Sequence, residues 1–353
     1  MNLSLDQRKQ KWIDFLDAAS SQRTIILVNC DEGGPGARPW PYPENWRKRM
    51  DWAVDACNAQ RRRAQWLDDD RIPAISPYTG TEIFAEALGC KVHYSGDNMP
   101  FALPRFNNIA EAERLRVPEM HDTPLYDLFE LAQRIRQRVD DDAVMQLPDI
   151  QSPLDIAALV LRKSEFLMAM LENPDAVLEL VGKTQKLLTD FLDEWFRTFG
   201  IEYIAHFPDY FMRGGVTFSE DEVGEFSTDM YEKFCLGPIN DLSERFGGCG
   251  MHCCANSRHQ WSGFKKIKGL RLLNLIQGPH ILNQVGDFFG GSICHWHGDG
   301  VARDPDSEIV IPEWIQNCGP KTHVVIERQA DSRESAIALS RRLREAEKRR
   351  ACA

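Results

Sequence analysis

Gly248-Cys249-Gly250-Met251-His252-Cys253-Cys254-Ala255-Asn256-Ser257 enters through glycines, gathers one imidazole and two thiols, and ends in small polar residues. Read as an extended strand, it sends side chains i and i+2 to the same side. His252 and Cys254 then project together and Cys253 points away. A His-x-Cys pair at a strand end offers one nitrogen and one thiolate to a soft cation, and zinc accepts that mixture best. The plainer reading makes the cysteines small buried hydrophobes and His252 a hydrogen-bonded core residue. The pattern around the stretch decides between the two.

Working outward, the polarity alternates between strand and helix. A helix is expected over 228–246, just before the His252 strand, and buried strands at 269–276 and 291–296 after it. The last strand, His323-Val324-Val325-Ile326-Glu327, leads into a helix opened by Asp331 and Ser332 and closed by Lys348-Arg349-Arg350. Upstream, a helix at 5–19 precedes the β-branched strand Thr24-Ile25-Ile26-Leu27-Val28-Asn29-Cys30. A strand over 143–148 follows. Pro174 then opens a long helix with Val177, Leu180, Val181, Leu188, Leu192, Trp195 and Phe199 on one stripe. A strand near 203–207 and a polar loop over 208–222 complete the series. Strand–helix alternation at this interval predicts a parallel sheet, and the chain shows no seam, no internal repeat and no dinucleotide glycine fingerprint. The expectation is a single (β/α)8 TIM-type barrel over 1–353, with a helical N-terminal extension at 1–23 and a Gly/Pro/aromatic loop at 31–46.

Composition sets limits. The 353 residues carry a formal charge of -11, which argues against a nucleic-acid surface. Arg61-Arg62-Arg63 and Arg341-Arg342 read as solvated helix faces. No apolar run approaches the ~18 residues of a membrane span, and the first residues lack the apolar core of a signal peptide. Ten cysteines in such a chain read as reduced thiols and ligands, so a cytoplasmic protein is expected. Gly33-Gly34-Pro35-Gly36 lacks phosphate-loop spacing and reads as a turn.

In such barrels reactive groups sit at the C-terminal strand ends. Those ends carry Asp31 and Glu32, Asp149 and Gln151, Asp209 with Arg213, His252 with Cys254, Gln277, His295 with His297, and Glu327. Their joint placement points to an enzyme.

The residues also resemble the uroporphyrinogen decarboxylase superfamily, which includes zinc-dependent methyltransferases acting on corrinoid proteins. The likeness runs in order from about residue 74. It is carried by the stretch Pro77-Tyr78-Thr79-Gly80 through Gly89-Cys90-Lys91-Val92, by Ile109 through Pro118, and by Leu171-Glu172-Asn173-Pro174. Ser227 with Tyr231 through Pro238 and finally Met251-His252-Cys253-Cys254 complete it, the last falling where the methyltransferases have His-x-Cys-Gly. The decarboxylase's arginine-rich N-terminal motif is absent; the 30–38 loop offers Asp31, Glu32 and Arg38 instead. An acidic loop is a poor receptor for a polycarboxylate, so the resemblance leans to the methyltransferase branch. That branch takes a third zinc ligand from a Gly-Cys after the last strand, where this chain has Glu327-Arg328; Cys318 and Glu327 are the two candidates.

The resemblance implies zinc at His252 and Cys254, and a methylated corrinoid (methylcobalamin), carried by a corrinoid-binding protein, as methyl donor. The small-molecule acceptor is a thiol or tetrahydrofolate. Asp209, Arg213 and Gln277 are expected to position the acceptor, with Asp149, Tyr78 and His297 facing the corrinoid. Two alternatives stand beside it. One is a metal-dependent lyase or hydrolase using the cluster of His295, His297 and Asp299; the other is a non-catalytic binding protein of a corrinoid pathway.

Overall fold

The computed structural model describes residues 3–140, 142–297 and 311–351. Among the described residues twelve strands are interspersed with helices. Their ranges are β1 Thr24–Cys30, β2 Ala74–Ile75, β3 Lys91–His93, β4 Phe101–Leu103, β5 Val144–Gln146, β6 Glu202–Ile204, β7 Phe211–Arg213, β8 Val216–Ser219, β9 Cys249–Cys253, β10 Leu270–Leu275, β11 Cys294–His295 and β12 His323–Ala330. Six of them form an all-parallel sheet in the order β1-β12-β11-β10-β9-β8. A second sheet runs β2-β5-β6-β7, parallel except for the antiparallel β6–β7 hairpin. The result is an α/β fold around a parallel core, as the alternation predicts.

Among the described residues the ladders make two arcs rather than one unbroken ring, and two seams join them. At one, backbone pairing links Gln151 to Ser219, with Ser219 N–H donating to Ile150 and Ser152 N–H to Ser219. At the other, side chains stand in for a strand. Asp70 accepts from Ile26 N–H at 2.7 Å, Asp69 accepts from Val28 N–H at 3.2 Å, and Asp70 N–H donates to Ile26.

These carboxylates are buried and paired. Asp69 meets Arg8 at 3.0 Å; Asp70 meets Lys11 at 2.8 Å and Arg344 at 2.7 Å. Burial alone would push the Asp70 carboxyl up, but Lys11 and Arg344 hold it below its ordinary range. The N-terminal extension is thereby explained. Helix Leu5–Leu16, closed by a Ser4–Gln7 capping box, buries Trp12 and Phe15 and delivers Arg8 and Lys11 to the seam. Helix Arg333–Ala351 brings Arg344 from the other end of the chain.

Three expectations need correction. The loop placed at 208–222 contains β7 and β8, hidden because each is only a few residues long and the Gly214-Gly215 turn between them has positive φ. The helix placed at 228–246 is two, Thr228–Phe234 and Leu236–Phe246; Pro238 lacks the N–H that would continue the first into the second. β12 continues three residues beyond Glu327, to Ala330, so Glu327 lies within the strand. The long helix Pro174–Phe199 buries the expected stripe and ends at Gly200, φ +89°.

Candidate metal centre at the mouth of the sheet

Ser219, His252 and Asn274 are register partners across the C-terminal ends of β8, β9 and β10, so they lie side by side. Asn274 gives its amide N–H to the Trp296 carbonyl, which leaves its oxygen as acceptor for His252 Nδ1–H. That assignment fixes the tautomer and leaves the His252 Nε2 lone pair free. The strand then ends and Cys254 emerges, exposed, with its N–H donating to Asp221 Oδ1 at 2.6 Å. Asp221 is anchored in turn, its N–H donating to buried Asp155 at 2.6 Å.

One ligand atom each from Asp221, His252 and Cys254 lies within 4.8 Å of the others. A nitrogen, a sulfur and an oxygen around a partly open point match a three-ligand zinc site with one free position. Cys253 stands apart, buried, its thiol directed to the Ala255 carbonyl at 3.8 Å. Burial, reinforced by Asp221, pushes the Cys254 thiol up to about 12.

Around this group lies more polar chemistry. His206, two residues beyond the end of β6, has Nε2 3.1 Å from Ser219 Oγ and 3.6 Å from Asp149 Oδ1. Burial, with the nearby His252, pushes His206 down to about 3; burial pushes Asp149 up to about 6. The half-exposed Phe207 ring sits edge-on to His252 at 4.7 Å.

A hydrogen-bonded chain then crosses the mouth. From Asn274 it passes to Trp296, whose indole N–H donates to Glu327 at 3.0 Å. Glu327 also accepts from Asn29 at 2.8 Å and faces Arg71 at 3.6 Å. Arg71 donates to Asp209 at 3.2 Å, and Gln146 donates to Asp209 at 2.9 Å.

The expected site residues divide accordingly. His252 and Cys254 come together, as strand alternation requires, and Asp149, Asp209 and Glu327 line the same mouth; Tyr78 lies beside Thr79, whose hydroxyl accepts from Asp149 N–H. Neither Glu327 nor Cys318 joins the ligand group. Glu327 is engaged by Trp296, Asn29 and Arg71, whereas Cys318 is buried with its sulfur packed against Gly286. Asp221 stands in the third place.

Gln277 ties down the turn after β9 by donating to Ala255. Arg213 belongs elsewhere: β7 doubles back, pairing it with Glu202 at the start of β6, and its side chain is exposed at the opposite end of the sheet. His297 is also committed. Its Nδ1 accepts from Leu275 N–H, its Nε2–H donates to His295 Nδ1 at 3.0 Å, and His295 Nε2–H donates to Gly290 at 3.2 Å. This one-way chain leaves neither imidazole a nitrogen for a ligand or a base. Asp299, the third member of that expected cluster, lies outside the described residues.

Asp221, His206, Asn274 and Arg71 carry no sequence signal that singles them out. Asp221 sits in the acidic run Ser219-Glu220-Asp221-Glu222, where the one pointer is the short strand before it, itself too brief to show a period.

Candidate ligands converge at the strand ends of a parallel α/β sheet, the place where such folds commonly carry their active sites. Residues 72–275, more than half the chain, match the family model described as uroporphyrinogen decarboxylase (URO-D); the chain belongs to that family. A solved methyltransferase from Methanosarcina mazei shares the fold, with a TM-score of 0.65 over 96% of this chain and 99% of that one, at 12% identity. No curated protein sequence matches the chain. No helix among the described residues is long and apolar enough to cross a membrane.

Asn274 provides a check on the geometry. Asn274→Ala should weaken zinc binding roughly 10–100-fold, the usual cost of losing the partner that orients a ligating histidine. A competition titration with a chromophoric chelator reads this directly; unchanged affinity would place His252 outside the site.

Proposed function

We propose that the protein is a zinc-dependent methyltransferase that moves a methyl group from a methylated corrinoid, presented by a corrinoid-binding protein, to a small acceptor. The two sheet arcs and their seams are read as one (β/α)8 barrel whose mouth is the active site. The observation that carries the proposal is the grouping of Asp221, His252 and Cys254 beside an open position. Zinc bound there supplies a Lewis-acid site that favours loss of the proton from an entering thiol.

The chain's own residues do the rest. Asn274 holds the His252 ring, Asp221 holds the Cys254 backbone, and Asp209 and Gln146 shape the polar floor on which the acceptor rests. Asp149 and Tyr78 face the donor side. The net change is R–SH + CH3–Co(III) → R–S–CH3 + H+ + Co(I): the S–C bond forms, and the Co–C bond breaks with its electron pair left on cobalt. Tetrahydrofolate is the alternative acceptor. The lyase or hydrolase reading loses support because its histidine base has no free nitrogen.

Methylcobalamin incubated with the protein and a thiol should lose its methyl–cobalt absorbance. The rate should collapse on chelation and return with zinc. Asp221→Asn should lower zinc affinity and rate together, while Glu327→Gln and Cys318→Ser should leave zinc affinity unchanged. Zinc-loaded protein that leaves the methyl–cobalt bond intact with thiols and with tetrahydrofolate would overturn the proposal.

A further inference from the structure

The mouth contains an unused cation. Arg38, on the exposed part of the 31–46 loop, lies flat over Tyr78, its guanidinium 3.3 Å from the ring centroid and 5.8 Å from that of Trp52. Among the described residues no acceptor takes a hydrogen bond from it. Stacking occupies the faces of a guanidinium and leaves its N–H edge for a planar anion.

The platform is itself constrained. Tyr78 has φ +32°, a left-handed value costly for a non-glycine residue. It is held there by Arg49, which donates to the Pro77 and Tyr78 carbonyls, and by its hydroxyl contact with Met99 at 3.0 Å. Strain kept in place by surrounding bonds is characteristic of ligand-gripping positions.

On the floor the balance is reversed. Two carboxylates, Asp209 and Glu327, share the single guanidinium of Arg71, whose side chain is only 15% accessible. Both carboxylates remain open to the mouth, with 46% and 35% of their side chains accessible. The floor is therefore one positive charge short, while the rim has one to spare close enough for the Asp209 carboxyl to feel it. An anion-only ligand would meet the two carboxylates, and a cation-only ligand would leave Arg38 without a partner.

We infer that the acceptor is a zwitterionic thiol, with its ammonium group on Asp209 and Glu327, its carboxylate on the Arg38 edge and its sulfur toward the Asp221–His252–Cys254 group. The inference rests on the methyltransferase reading for the role of the sulfur, but the charge pattern is tested by binding alone. Calorimetry on the zinc-loaded protein would compare homocysteine with 4-mercaptobutanoate, which lacks the ammonium, and 3-mercaptopropylamine, which lacks the carboxylate. Homocysteine should bind ~10–100-fold more tightly than either, the worth of one charge-assisted contact.

Arg38→Gln should remove the advantage over 3-mercaptopropylamine only, and Asp209→Asn should shrink the advantage over 4-mercaptobutanoate only. Norvaline, which has both charges and no sulfur, should show the same two losses in metal-free protein. Equal affinities for the three thiols, or losses that do not sort by charge, would overturn the inference. If charge-sorted binding is found but no methyl is transferred, the methyltransferase reading fails and the zwitterion subsite stands. Methyl transfer without charge preference does the reverse: the zwitterion subsite fails and the methyltransferase reading stands.

Discussion

Cys254→Ser should leave the protein unable to hold stoichiometric zinc, while Cys253→Ser keeps its metal. The two thiols are neighbours in sequence but not in space. Cys254 emerges from the strand end beside Asp221 and His252; Cys253 is buried behind it against Ala255. Removing the sulfur ligand should cost more than the ~10–100-fold expected from an outer partner such as Asn274.

The binding should also depend steeply on pH. The metal-free thiol is pushed up to about 12, so throughout the neutral range zinc must displace a proton from it. Raising the pH removes that competition, and affinity should tighten about tenfold per unit between roughly pH 7 and 9. Calorimetry in buffers of differing ionisation enthalpy would count the proton released. Equal zinc loss in both cysteine variants, or an affinity indifferent to pH, would sink the assignment.

Asp70→Ala should be the most destabilising single change at the seam between the two arcs, by ~3–5 kcal/mol, because it removes one partner of a buried ionic cluster. The fully buried carboxylate accepts from Ile26 N–H and neutralises both Lys11 and Arg344; without it one strand N–H loses its partner, and the two cations keep only Glu347 and Asp68, which are more accessible to water. Asp70→Asn keeps an acceptor for Ile26 and should cost less. Because the folded carboxyl is held below its ordinary range, this stability is present above the unfolded pKa of ~3.9 and fades as pH falls through the lower folded value. Equilibrium urea denaturation measures both variants; a loss for Asp70→Ala below about 1 kcal/mol would mean that the seam is held by something else.

What the sequence disclosed, it disclosed through local periodicity. His252 and Cys254 are two apart on one strand, so alternation alone aims them together. The longer strands, such as β1 and β10, and the long helix from Pro174 follow from runs long enough to carry a period. The candidate third ligand could not be found that way. Asp221 follows a four-residue strand within a polar stretch, and its meeting with Cys254 depends on how β8 lies against β9. Glu327 was placed at a rim because the last strand was expected to end with it; three further residues of β12 put it on the floor. Arg213 and Asp209 are four residues apart and lie at opposite ends of the sheet because the chain turns back between them. His297 had the right residue type and the right strand end, but its nitrogens were already committed to Leu275 and His295. Such commitments are three-dimensional facts.

The hydrogen-bonded chain that crosses the mouth bears on how this protein can change. Barrels commonly acquire new substrates by exchanging the loops above the sheet while the strands stay the same. Here Asn29, Gln146, Asn274 and Glu327 belong to the strands themselves, and with Trp296 and Arg71 as links their bonds run from His252 to Asp209. Grafting a relative's loops onto this chain would therefore carry over little of that relative's selectivity. A change of substrate would have to be made in the strands of the sheet themselves, in several at once.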